Sequence, residues 1–212
     1  MDDDRTARAR LRDAAIEIIA NGGSDSLTAR GVAERAGLSA GLIRHHFGSM
    51  GDLLTACDEH IARTIKRLKT DGIRGSASFD ALSVIRQSNH PHLLGYLAMR
   101  VSEDSPVLDR LIDLIVDDAT VYLADGVEQG IFTPTAQPRR RAVMLTIFTL
   151  GALALHRHLE RLLDVDLRAV DAHSDRRFIG YLRAQMDVLA GVVTPDAASR
   201  YRSLLDDLEE QS

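Results

Sequence analysis

The sequence predicts an all-α protein of about ten helices, with a small N-terminal helix-turn-helix head and a larger helical body. Three observations carry that prediction. Apolar residues recur with the helical period along nearly the whole chain. Aromatic residues make up only 4% of the 212 residues and tryptophan is absent, which argues against sheet architectures that lean on aromatic and β-branched strands. The five prolines, at 91, 106, 134, 138 and 195, fall between apolar stripes or at the start of one, where helices accept them.

Taken in order, Leu11, Ala15, Ile18 and Ile19 form the face of a first helix that Gly22 and Gly23 stop. Two short segments follow between residues 27 and 47. A longer helix over 51–70 carries Leu54, Cys57, Ile61, Ile65 and Leu68 on one stripe. The next stripe holds Leu108, Leu111, Ile112, Ile115, Ala119, Tyr122 and Leu123. Residues 139–163 read as one helix, apolar on nearly all sides at Ala142, Val143, Met144, Leu145, Ile147, Phe148 and Leu150. Such a helix is buried on two fronts, here its own core and a partner. A further helix is expected over 178–193, with Leu182, Met186, Leu189 and Val193 in register. Val192-Val193 is too short to count as a strand. Small polar residues and Gly72 and Gly75 mark a seam near 71–78. The expected organisation is a head over 1–50, a connecting helix over 51–71 and a body over 72–212.

Composition narrows the class. Hydrophobic residues make up 45% and charged residues 27%, the balance of a soluble globular chain. A single cysteine, Cys57, excludes an internal disulfide or a cysteine-based zinc finger. Its place on an apolar stripe reads as a buried, inert thiol. No apolar run approaches the ~18 residues of a membrane span, and the acidic start Met1-Asp2-Asp3-Asp4 is unlike a secretory signal. The expectation is a cytoplasmic protein with no membrane partner. The net charge of −5 does not favour nucleic acid, but its distribution is uneven. Residues 5–50 hold seven arginines against four acids, whereas residues 71–212 hold 15 basic and 21 acidic side chains.

The chemistry concentrates in residues 27–54. Thr28 is an N-cap residue, and Val32, Ala33 and Ala36 give the helix after it one apolar face. Gly37 breaks that helix, Leu38 can plug the core, and Ser39 is a second N-cap. Two short helices joined by a three-residue turn containing glycine make a helix-turn-helix, with Ala33, Gly37 and Gly41 small enough for the helices to cross closely. The second helix of such a pair lies in the major groove, and helix N-termini offer N–H groups to phosphates. The residues expected at DNA are Thr28, Arg30, Ser39, Ala40, Gly41, Leu42, Arg44, His45, His46 and Ser49. Arg44 is the only long donor on the second helix, able to bond bidentately to guanine. His45 and His46 point about 100° apart, so one faces DNA and the other packs under Phe47.

The run from Ala36 through Leu42, Ile43, Arg44, His45, His46, Phe47, Gly48, Ser49 and Met50, then Leu53, resembles the DNA-binding head of the TetR family of bacterial regulators. The likeness covers residues 8–68. Arg44 stands where that family often has a backbone-contacting Tyr, His46 where it has a second Tyr, and Met50 where it has Lys. In the body, residues 121–130 and 138–160 look like an actinobacterial subgroup linked to ABC-type drug-efflux operons. The resemblance implies a homodimer that buries an effector pocket, and a repressor released from double-stranded operator DNA by a small effector, which the scarcity of aromatic residues predicts to be hydrophobic.

The body's residues support parts of this independently. Residues 139–163 and 178–193 carry more apolar surface than one chain needs, and Gly151, Ala152 and Ala154 allow close crossing by a symmetry mate. The expected dimer interface is Phe148, Gly151, Ala152, Leu155, Leu159, Leu182, Met186 and Leu189. The expected pocket has walls at Leu94, Leu97, Met99, Val116, Phe148 and Leu155, and polar anchors at Tyr96, Tyr122 and His156. Histidines at 90 and 92, and at 156 and 158, have i, i+2 spacing and diverge on a helix, so no metal site is expected. No Gly-rich phosphate loop, Gly-x-Ser-x-Gly elbow or His-Glu-x-x-His pair occurs, so no catalytic residue, enzyme activity or cofactor is expected. Two other readings remain open: a DNA-binding regulator with no effector, and an all-α enzyme with a cluster of ionisable groups in its body.

Overall fold

The computed structural model describes residues 2–72, 92–168 and 176–210. Ten α-helices run through them: α1 Asp2–Gly22, α2 Ala29–Ala36, α3 Gly41–Phe47, α4 Met50–Gly72, α5 Leu93–Arg100, α6 Pro106–Glu128, α7 Pro138–Ala154, α8 His156–Leu163, α9 Arg176–Val188 and α10 Pro195–Glu210. Extended pairing among the described residues amounts to one antiparallel bridge, Phe132 to Val193. The chain divides into two compact units, Met1–Leu111 and Ile112–Ser212, with α6 running through the division. Of the seam expected near 71–78, residues 71 and 72 are helical and the rest lie outside the described residues, as does His90.

In the first unit the apolar stripes turn inward as their periodicity predicts. Leu11, Ala15 and Ile19 of α1 are buried with Val32, Ala33 and Ala36 of α2, Ile43 of α3, and Cys57, Ile61 and Ile65 of α4, while Ile18, Leu54 and Leu68 of the expected stripes are half-buried and Leu53 takes the buried place beside Leu54. Each buried Leu or Ile contributes about 1.5–3 kcal/mol by leaving water. Helix α5 is buried along most of its length, at Leu93, Leu94, Tyr96, Leu97 and Ala98.

The second unit has its core at Val116, Ala119 and Leu123 of α6, Phe132 in the following loop and Ala142 of α7. The Phe132 ring lies so close to Gly126 that a Cβ there would fall 2.4 Å from it, so any larger residue displaces the ring. Tyr122, expected on the inward stripe, is 41% exposed. The residue sits one position from Leu123, and the buried row passes through Ala119 and Leu123 instead.

Residues 139–163 do not form one helix. The chain leaves helical geometry at Leu155 (φ −95°, ψ 19°), and α7 and α8 meet at a 73° bend. The break turns His156 inward, where its Nδ1 lies 3.1 Å from the Leu153 carbonyl oxygen, and leaves Leu155 outside. Helix α7 is two-sided: Ala142, Thr146, Leu150 and Leu153 are buried, while Met144, Ile147 and Phe148 are exposed. The helix expected over 178–193 ends at Val188. Beyond it the N–H groups of Leu189, Val192 and Val193 still bond back to Gln185 and Leu189, and the segment also pairs with the loop before α7. Thr133 N donates to Val192 O at 2.9 Å and Thr194 N to Ile131 O at 2.9 Å, while the Thr133 and Thr194 hydroxyls donate to the carbonyls of Gly191 and Gly130. Val193 thus takes part in the extended pairing that its short apolar run did not foretell.

Candidate nucleic-acid interface

Helix α2 begins where its cap predicts. The Thr28 hydroxyl accepts from Gly31 N at 3.1 Å, satisfying one of the orphan donors of the first turn. The helix ends at Gly37, whose φ of 62° lies in the left-handed region that glycine enters without strain. Leu38 N then donates to Ala33 O at 3.0 Å, closing a Schellman-type terminus. Arg10 of α1 braces the same corner, with Nη2 2.5 Å from Ala36 O.

The turn covers residues 37–40, one more than expected, and Ser39 is not the cap of α3. Ala40 precedes the helix in αR conformation with no side-chain cap bond. The first bonds run from Leu42 N to Ser39 O and Ile43 N to Ala40 O. Helix α3 thus opens with three-residue-spaced bonds to the Ser39 and Ala40 carbonyls, and Ala40 is already helical. Gly41 is likewise no crossing point, because a Cβ there would meet nothing within 4 Å. Ala33 is buried at the helix contact; Gly37 serves by its backbone conformation.

Helix α3 has one buried residue, Ile43, with Leu42, His46 and Phe47 half-buried. Ala40, Gly41, Arg44 and His45 are exposed. The two histidines differ in exposure but their rings still meet edge-on, with centroids 5.0 Å apart: His45 is exposed, while the half-buried His46 ring also stands edge-on to Phe47 at 6.4 Å. The guanidinium of Arg8 lies over the Phe47 ring, 4.8 Å from its centroid, a cation–π contact that fixes the end of α3 to α1. Arg30 is exposed and pairs with Glu34 one turn on. Ser49 caps α4: its Oγ accepts from Asp52 N at 3.1 Å and donates to Asp52 Oδ2 at 2.6 Å.

Below this surface Cys57 is buried, its Sγ 3.7 Å from Arg12 O. Burial pushes its thiol up to about 12, with the Asp58 charge adding to the effect. Among the described residues, no group of three or more His, Cys, Asp or Glu side chains could hold a metal ion.

The expected body residues are found in varied settings. Leu94, Leu97 and Val116 are buried, Met99 is half-buried, and Phe148 and Leu155 are exposed. The Tyr96 hydroxyl, expected to face a ligand, donates to Asp58 Oδ1 at 2.5 Å. His156 is buried, and no protein group bonds its Nε2. Of the expected interface, Gly151, Ala152, Leu159, Leu182, Met186 and Leu189 are half-buried. The expected interface left out Met144 and Ile147, which share the outward stripe of α7 with Phe148 by i+3 and i+4 spacing. That spacing was the signal that could have found them.

Known proteins match both ends of this architecture. The model described as "Bacterial regulatory proteins, tetR family" matches residues 11–57, and "Tetracyclin repressor-like, C-terminal domain" matches residues 89–199. The chain belongs to the TetR family. The HTH-type transcriptional regulatory protein RaaS of Mycobacterium tuberculosis is 34% identical over 167 residues, 78% of each chain. Among solved structures, TetR-family CprB from S. coelicolor A3(2) has a TM-score of 0.68 at 23% identity over 99% of both chains. A gamma-butyrolactone receptor (ArpA-like protein) has a TM-score of 0.66 at 22% identity over 100% of both. These two share the TetR fold. The family assignment makes this chain a DNA-binding transcriptional regulator, with α2 and α3 as its helix-turn-helix. No single described helix is long and apolar enough to cross a membrane.

Proposed function

We propose that this TetR-family regulator is a homodimeric repressor that leaves its operator when a small hydrophobic effector occupies its body, and that it controls an efflux transporter. The observation that carries the dimer is the outward face of α7. On it Met144 is 66%, Ile147 53% and Phe148 41% exposed, and Leu155, just past its end, 58%. A contiguous apolar stripe of this kind marks an interaction surface. A two-fold pair would present two recognition helices to half-sites about 34–36 Å apart, one turn of duplex. Doubling the head also offsets its modest charge, because affinity rises steeply with the number of phosphates neutralised.

In this reading Arg44 reads base edges. His45 and the backbone opening at Ala40 and Gly41 meet phosphates or the groove edge, together with Thr28, Arg30, Ser39, Leu42 and Ser49 nearby. His46 supports α3 from beneath. The effector occupies the body, and Phe148 and Leu155, expected among its walls, are exposed and belong in this reading to the dimer face. The ArpA-like protein of the same fold is named as a gamma-butyrolactone receptor. Release works as a two-state hinge through α4, and a coupling of about 1–3 kcal/mol lowers operator affinity 5- to 150-fold. A footprint on the DNA upstream of the gene tests the reading. Protection of a two-fold symmetric site supports it, and protection of nothing above non-specific background refutes it.

A further inference from the structure

We propose that the Asp58 carboxylate is a positioning group for DNA recognition, pinning α4, and through it the recognition helix α3, to α5 and to the first turn of α6. Asp58 and Arg100 are 2% and 3% exposed. Arg100 Nη2 lies 2.7 Å from Asp58 Oδ2, and Arg100 Nε lies 3.3 Å from Oδ1. Tyr96 donates to Oδ1 at 2.5 Å and Ser105 to Oδ2 at 2.7 Å. Four donors thus fill the roughly four lone-pair sites of one carboxylate. Burial above all, with Cys57 and Asp58 adding to it, raises the Tyr96 phenol, so it remains a donor. Arg100 also pairs with Glu103.

Ser105 makes the arrangement more than an ion pair. Its Oγ donates to Asp58 and accepts from Leu108 N at 3.3 Å, so it is the N-cap of α6, the helix that runs on into the second unit. One residue before Asp58, Cys57 touches Arg12 O of α1. Helix α4 is therefore held at one level to α1 on one side and to α5 and α6 on the other. An apolar contact would stabilise this packing as well, since buried ion pairs are weak sources of stability. Directional bonds add register: a slide or rotation of α4 leaves a buried charge without its donors.

The test uses the full-length protein and duplexes selected from a random-sequence pool by the wild type. Asp58→Asn strands Arg100 and risks misfolding, so the informative variants cut single arms. Ser105→Ala removes the α6 arm, Ser105→Thr restores its hydroxyl, and Tyr96→Phe removes the neutral α5 arm without touching a cap. Kd is measured well below each Tm on the selected duplex and on versions lengthened by one or two base pairs at the centre. Ser105→Ala and Tyr96→Phe are expected to bind about five-fold or more weaker, with less discrimination between spacings and an unchanged salt slope, while Ser105→Thr stays near wild type. Lowered Tm with wild-type Kd and spacing preference would overturn the proposal, leaving Asp58 a structural group only. The inference rests on the dimeric reading for its spacing arm alone. If the wild type selects single half-sites, that reading fails, and the variants' Kd on the half-site still decides about Asp58.

Discussion

Gly95 of α5 lies against Ala20 of α1: a Cβ on Gly95 would stand 3.1 Å from both the Cβ and the carbonyl oxygen of Ala20. The head's first helix thus meets α5 almost backbone to backbone. Gly95→Val should lower Tm, since overpacking a close contact costs about 1–3 kcal/mol. Gly180→Ala on α9 is the control, because its added Cβ meets nothing within 4 Å. That change should stabilise by about 0.5–1 kcal/mol through helix propensity. Thermal melts of both variants check the pair, and equal responses would contradict the contact.

Gly151 sits on the proposed dimer face, with open space where a Cβ would go. Gly151→Asp should therefore leave the protomer folded, because aspartate is a better helix residue than glycine. It should nevertheless dissociate the dimer and weaken operator binding together. Light scattering that returns the wild-type mass would count against this face.

Cys57 has its thiol raised to about 12 by burial, so almost no thiolate is present at pH 8. Iodoacetamide should leave the native protein unmodified over hours and label it promptly in denaturant. Rapid native labelling, read by mass spectrometry, would mean that the α1–α4 contact opens readily.

His156 has its pKa lowered from the ordinary 6.5, by burial first and then by the Arg168 charge, against the opposing Leu153 carbonyl, Asp166 and Glu160. The unfolded chain takes up this proton near pH 6.5 and the folded chain resists it, so the stability is complete above that pH and declines as pH falls below it. His60 is shifted the same way, by burial and then Arg12. Tm should fall between pH 7.5 and 5.5, and His156→Gln should fall less steeply. Equal slopes would remove His156 as a source of the acid sensitivity.

Much of the first unit was legible because its signals are local. Thr28 caps, Gly37 terminates, and the stripes of α1 and α4 point inward through a simple period. Errors arose where tertiary contacts override local preference. Ser39 looks like a side-chain cap, yet α3 opens on the Ser39 and Ala40 carbonyls. Apolar residues continue past Leu155, but the turn of His156 into the core breaks the helix there. Residues 189–193 read as helix; their N–H groups still bond back along the chain, but as turns, and Val192 O turns to Thr133 N of the preceding loop. The Asp58 cluster joins positions up to 47 residues apart in the chain, and no periodicity marks such a meeting.

The most direct test of the central claim, that an exposed α3 presented twice by a symmetric pair reads duplex DNA, is selection of binding sites from random duplexes by wild type and Arg44→Ala. The account predicts that wild type enriches an inverted repeat with half-sites one helical turn apart, or a multiple of it. It predicts that Arg44→Ala, still folded, loses preference at one base pair in each half, a discrimination of about 1–3 kcal/mol. Enrichment of no symmetric sequence, or an identical preference in the variant, would contradict it.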